Sequence, residues 1–130
     1  KGSWFGAEKL CIDTSGSKKL NFERKWLMKE NIVQFHNGSL QKYGKTQHDI
    51  ISMDVDGNDY TFTKELLASG ARPSLFITEY NGIFPPNAIW QMKYNPKHLD
   101  HQGNRCESYS GASLGSFNKL FSENLFIRKP

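Results

Sequence analysis

The sequence predicts an α/β domain built on a mostly parallel sheet. Three observations lead there. Short apolar runs rich in β-branched and aromatic residues recur along the chain, helical stretches lie between them, and four of the runs end on Asp, Asn or Glu. Strands joined by helical crossovers form parallel sheets whose faces the helices cover. At 130 residues the chain has the length of one domain, taken as 1–130.

The elements follow in order. Lys9 to Asp13 (KLCID) is a short buried-strand candidate, and Glu23 to Glu30 (ERKWLMKE) is short, amphipathic and predicted helical. Asn31 to His36 (NIVQFH) alternates weakly and reads as a strand closed by Asn37-Gly38. His48 to Asp54 (HDIISMD) is a second buried strand. Phe62 to Ser69 (FTKELLAS) is the best helix in the chain, and Gly70 stops it. Pro73 then introduces a strongly β run, Ser74 to Tyr80 (SLFITEY). From Asn81 to Tyr109 the chain reads as a long loop, a length that marks function or disorder in a compact domain. Ser113 to Phe121 is predicted as a last helix despite Gly115, and Leu125 to Ile127 is a short apolar run.

Composition narrows the function classes. Aromatic content of 13% argues against a disordered chain. No apolar run approaches the roughly 18 residues of a membrane helix and no signal-peptide core opens the sequence, so the default expectation is a cytoplasmic protein without a membrane span. The net charge of +4 would suit an anionic partner, yet the basic residues are dispersed, which argues against nucleic acid. Cys11 and Cys106 form no CxxC and set no disulfide framework. His36, His48, His98 and His101 have no ligand spacing beyond His98-x-x-His101. Trp90, Tyr94 and Tyr109 in the long loop suit either substrate cover or packing beneath the loop.

The stretch 54–65, DVDGNDYTFTKE, admits two readings. Asp54, Asp56, Asn58 and Glu65 stand at the first, third, fifth and twelfth positions of a calcium-binding EF-hand loop. Against this, the sixth position is Asp59 rather than Gly, and a strand rather than a helix enters the loop. The other reading is a strand end. In open α/β sheets ligands bind beyond the carboxyl ends of strands. Here Asp13, Asn37, Asp54 with Asp56, and Glu79 with Asn81 follow four successive predicted strands, on one rim. Any one of them would serve equally as a helix cap; four on one edge favour a site.

Three segments also carry a family likeness. ISMDVDGNDYTF, RPSLFITEYNGIFPP and YSGASLGSFNKL, in that order and spacing, resemble FkbM-like, class I S-adenosylmethionine-dependent methyltransferases. The likeness spans roughly residues 4 to 130 and is strongest over DVDGND and TEYN. It implies a Rossmann-like three-layer sandwich. Residues 1 to 12 hold no G-x-G-x-x-G after a strand, so the implied sheet lacks its first strand. KLCID would be the second strand, and Asp13 would receive the cofactor ribose hydroxyls. Asn37 and Gly38 would lie near the adenine and Asp54 beside the methyl donor. Asp54, Asp56 and Asn58 would be the catalytic set, and Glu79, Tyr80 and Asn81 would meet the acceptor, a small-molecule or glycan hydroxyl. Asp54, Asp56, Glu79 and Asn81 would hold a Mg²⁺ ion, or Asp54 or Asp56 would act directly as base. The alternatives are a non-catalytic relative of the same fold and the calcium-binding module.

Overall fold

The computed structural model describes residues 23–97 and 110–124. Within them the chain is mixed α/β, with α1 (Ile32–Tyr43), β1 (Ile50–Met53), α2 (Asp59–Ala68), β2 (Leu75–Thr78) and α3 (Leu114–Asn124) in that order. No helix among the described residues is long and apolar enough to cross a membrane. The strand predicted at KLCID, together with Asp13, Cys11, Cys106, His98, His101, Tyr109 and the run Leu125 to Ile127, lies outside the described residues.

The centre of the fold is β1–α2–β2. The two strands pair in parallel, Ile50 opposite Leu75 and Met53 opposite Thr78, so their carboxyl ends finish side by side. Parallel pairing requires a crossover, and α2 supplies it. Both strands and α2 fall inside or within three residues of the predicted segments. Gly70 ends α2 as expected: with φ at +95° it takes the left-handed turn that favours glycine, and Ala71 N–H reaches back to Leu66 O at 3.0 Å.

Side chains alternate across the strand pair. Ile51, Met53 and Phe76 meet Ile32 of α1, Phe62 and Leu66 of α2, and Ala71 in one apolar cluster. Leu67, Phe117 and Leu120 form a second with Ala112, and Phe76 reaches it too, stacked obliquely against Phe121 at 5.5 Å. All three helices thus contribute to the face that carries Phe76. The opposite face shows Ile50, Leu75 and Ile77, each about half exposed or more.

Two predicted elements are corrected. Asn31 to His36 is not a strand; it opens α1, which runs through Asn37-Gly38 to Tyr43. Ile32, His36 and Leu40 are buried at a spacing of four, a helical stripe that outweighs the β propensity of Ile-Val and the turn propensity of Asn-Gly. The helix stops instead at Gly44, in the left-handed region at φ +62°. Glu23 to Glu30 is not a helix. Asn31 closes the end of that segment into a turn, its Oδ1 accepting Met28 N–H at 2.8 Å and its Nδ2 donating to Trp26 O at 3.1 Å. Local side-chain bonds of this kind compete with helix formation.

The described part of the long segment after β2, up to residue 97, is irregular, as predicted, and residues 88–95 form a strap tied down along its length. Ser113 N–H donates to Trp90 O at 2.9 Å and Met92 N–H to Gly111 O at 2.8 Å. Tyr94 packs against Phe62, and its hydroxyl accepts Lys29 N–H at 3.0 Å and donates to Glu30 at 3.3 Å. Trp90 stacks on Phe84 with ring centres 4.4 Å apart. Of the two readings for the loop aromatics, these contacts show Trp90 and Tyr94 packing under the loop.

The last helix begins one residue later than predicted and extends to Asn124. Ser113 stands before it and is fully buried. Its Oγ accepts Ser116 N–H at 3.2 Å, as an N-cap does, and accepts Trp90 N–H at 3.1 Å while donating to Ala88 O at 2.6 Å. One hydroxyl therefore caps α3 and fastens the strap.

Candidate functional site

Parallel pairing brings Asp54, Asp56 and Glu79 to one rim. Asp54 follows β1 directly and Glu79 follows β2 directly, so the register that sets Met53 opposite Thr78 also sets these two acids side by side. Carboxylate oxygens of Asp54, Asp56 and Glu79 all lie within 4.8 Å of one another, and all three residues are exposed. Beside them is a cavity of about 340 Å³, lined by Asp56, Asp59, Glu79, Tyr80 and Asn81 together with backbone of the Gly57, Gly82 and Gly111 turns. Three acids in solvent repel one another only modestly at such separations, because water screens them. A hard cation bound by their oxygens, or a hydroxyl donor, would relieve that repulsion.

The turn leading into α2 is held by a residue to which the sequence reading gave no role. Asp56 adopts φ +52°, the left-handed region that few residues other than glycine enter, and Gly57 follows at φ +114°. Asp59, 2% exposed, receives both free ends of this turn: Val55 N–H donates to Oδ1 at 3.0 Å and Gly57 N–H to Oδ2 at 2.9 Å. As the first residue of α2 its charge also faces the positive end of the helix dipole. Burial nevertheless pushes the Asp59 carboxyl above the usual range, a rise that the Gly57 and Val55 N–H groups oppose and the nearby Asp54 reinforces.

That shift has a sign. A carboxyl whose folded pKa is raised binds its proton more tightly in the folded chain than in the unfolded one. Its contribution to stability is therefore greatest below the ordinary Asp value of about 3.9, falls as pH climbs through the raised value, and is level above it. We expect the wild-type chain to lose stability relative to Asp59→Asn as pH rises through this window, read from urea midpoints at successive pH values. A wild-type to variant difference that stays constant, or moves the other way, contradicts the assignment.

The predicted site residues divide. Asp54, Asp56, Glu79 and Tyr80 reach the rim or its cavity. Asn58 and Asn81 are adjacent, but their amides serve the loops. Asn58 is buried and pairs with the backbone of Asn95 in both directions, Nδ2 to O at 2.9 Å and N–H to Oδ1 at 3.3 Å. Asn81 donates from Nδ2 to Ser110 O at 2.9 Å and accepts Ile83 N–H at 3.0 Å. Asn37 and Gly38, expected at a strand end, lie mid-way along α1 for the reason given above and line a separate depression with Phe35 and Tyr43. Among the described residues, Asp54, Asp56 and Glu79 thus share one rim, whereas Asn37 and Gly38, expected near the adenine, lie apart from it on α1, and Asp13 falls outside the described residues. For a cation, Asp54, Asp56 and Glu79 offer the hard-oxygen set that Mg²⁺ takes, and the Asn81 Oδ1 is engaged by Ile83.

The geometry also bears on DVDGNDYTFTKE. A strand enters it and α2 starts at its sixth residue, so the stretch is not a helix–loop–helix. Glu65 stands on α2 and pairs with Lys29 at 3.3 Å. No family model, no curated protein and no solved structure matches this chain.

Proposed function

We propose that the chain is an FkbM-like, S-adenosylmethionine-dependent methyltransferase domain of the Rossmann-like three-layer type, whose β1–β2 rim receives a small-molecule or glycan hydroxyl. The observation that carries this reading is the convergence of Asp54, Asp56 and Glu79 within 4.8 Å at the carboxyl ends of two parallel strands, beside a cavity of molecular size. S-adenosylmethionine would supply the methyl group as an electrophilic carbon on sulfur. The chain's own part is to bind the acceptor hydroxyl against the carboxylates, orient its oxygen and take its proton. Glu79 and Asp56, carboxylates that both line the cavity, would accept that proton. A Mg²⁺ ion held by Asp54, Asp56 and Glu79 would acidify the hydroxyl and orient it.

A non-catalytic relative is the second reading. It is favoured by Asn58 and Asn81, whose amides hold Asn95, Ser110 and Ile83 rather than facing a ligand. Calorimetric titration of the full-length protein with S-adenosylmethionine separates the two. Saturable one-to-one binding is expected for the enzyme; no detectable heat with correctly folded protein sinks it.

A further inference from the structure

We infer that Asp59 is the positioning residue of this rim: it holds Asp56 in the left-handed conformation that keeps the Asp56 carboxylate beside Asp54 and Glu79. The inference deepens the reading of the rim as an acceptor site and rests on it for its functional meaning. Four observations carry it. Asp59 is almost completely buried, yet it lines the cavity shared with Asp56 and Glu79. Its two oxygens take different backbone N–H groups, one on each side of Asp56, at 3.0 and 2.9 Å. Between those anchors Asp56 is the one described residue other than glycine with positive φ. The next residue, Asn58, is fixed independently to Asn95, so the turn is clamped at its far end too.

The physical logic is one of two anchors. A left-handed conformation costs a non-glycine residue roughly 1–3 kcal/mol and persists only where its surroundings hold it. Charged acceptors make the stronger hydrogen bonds to backbone N–H, and a bidentate carboxylate spans two donors that no neutral side chain of the same size can take together. An amide in place of the carboxylate keeps one acceptor and sets an NH₂ against the second N–H. The turn then loses an anchor, and Asp56 is free to return to negative φ. Because Asp54 and Glu79 directly follow the two paired strands while Asp56 lies in the turn, that one rotation moves Asp56 away from the other two.

The test is made on the full chain by NMR, comparing wild type, Asp59→Asn and Asp59→Ala. In wild type the Asp56 amide and α protons should show the strong intraresidue NOE of positive φ, and the Val55 and Gly57 amides should exchange slowly with solvent. In both variants the NOE should be lost while the remaining amide spectrum stays dispersed. Mn²⁺ added in trace amounts should broaden Asp54, Asp56 and Glu79 in wild type. In Asp59→Asn it should lose its effect on Asp56, with the apparent Mn²⁺ affinity down on the order of tenfold, as for loss of a group that orients a metal ligand. The inference is overturned if Asp56 keeps its positive-φ NOE in a folded variant, or if the wild-type Val55 and Gly57 amides exchange as fast as open loop amides. The second criterion needs no variant and so decides the matter even where a variant fails to fold. Absence of S-adenosylmethionine binding would remove the methyltransferase reading without touching either measurement.

Discussion

Phe62→Ala is expected to cost about 3–5 kcal/mol, the range for removing a large buried aromatic side chain. Phe62 is 2% exposed and sits where α1, β1 and α2 meet, among Ile32, Met53 and Leu66. Its ring also backs Tyr94, whose hydroxyl holds Lys29 and Glu30. Truncation therefore opens a cavity in the main cluster and withdraws the support on which the strap lies. Against a total stability of about 5–15 kcal/mol for a domain, the loss is a large fraction. Urea unfolding should show the midpoint lowered accordingly, with the slope little changed. Hydrogen exchange should additionally show the Lys29 amide losing protection before the strands do. A loss below about 1 kcal/mol would mean that Phe62 is not at the centre of the packing, since core truncations fall well above that.

Gly115→Ala should destabilise the chain although it replaces glycine within a helix. In an open helix the change gains up to about 1 kcal/mol from backbone propensity. Here a Cβ on Gly115 would collide with Ala88 O, a backbone atom of the strap, and stand 3.0 Å from Pro86 O in the backbone just before it. Backbone cannot swing aside as a side-chain tip does, so α3 or the strap must move. Overpacking of this kind costs about 1–3 kcal/mol and exceeds the propensity gain. The Ser113 and Ser116 bonds to Ala88 and Trp90, at 2.6 and 2.8 Å, would be lost with the shift. The direction of the change is diagnostic: a variant more stable than wild type would show that α3 does not approach the strap so closely.

The sequence and the structure agree where local pattern and tertiary environment agree. HDIISMD and SLFITEY are dense in β-branched residues, are separated by a well-marked helix with a glycine stop, and became the parallel pair. NIVQFHNGSLQKY carried conflicting signals. Ile, Val and Phe favour a strand and Asn-Gly favours a turn, and only burial of Ile32, His36 and Leu40 against the other elements resolves them as a helix. Burial is a property of the assembled fold, so no local window contained the answer.

The site divides in the same way. Asp54 and Glu79 were legible because parallel strands must end on one side, and an acid directly after each strand is therefore carried to the same rim. Asn58 and Asn81 were not, since their amides pair with backbone at Asn95 and Ser110, 37 and 29 residues away. Asp59 enters the sequence reading only as the wrong residue for a calcium loop. One signal was nonetheless present: an acid three residues after another acid, at the start of a helix and behind Asp-Gly, is placed to receive the N–H groups of the turn before it.

The strap has a consequence for the order in which the chain assembles. β1–α2–β2 joins elements adjacent in sequence, whereas the strap bonds to Asn58 across 37 residues and to Lys29 across 65. Long loops close at an entropic cost that is repaid only once both partners are in place. Such late contacts are absent from the folding barrier and present in the native state. Weakening them would leave the folding rate nearly unchanged and accelerate unfolding. The residues that bind the strap therefore govern how long the folded molecule lasts more than how quickly it forms.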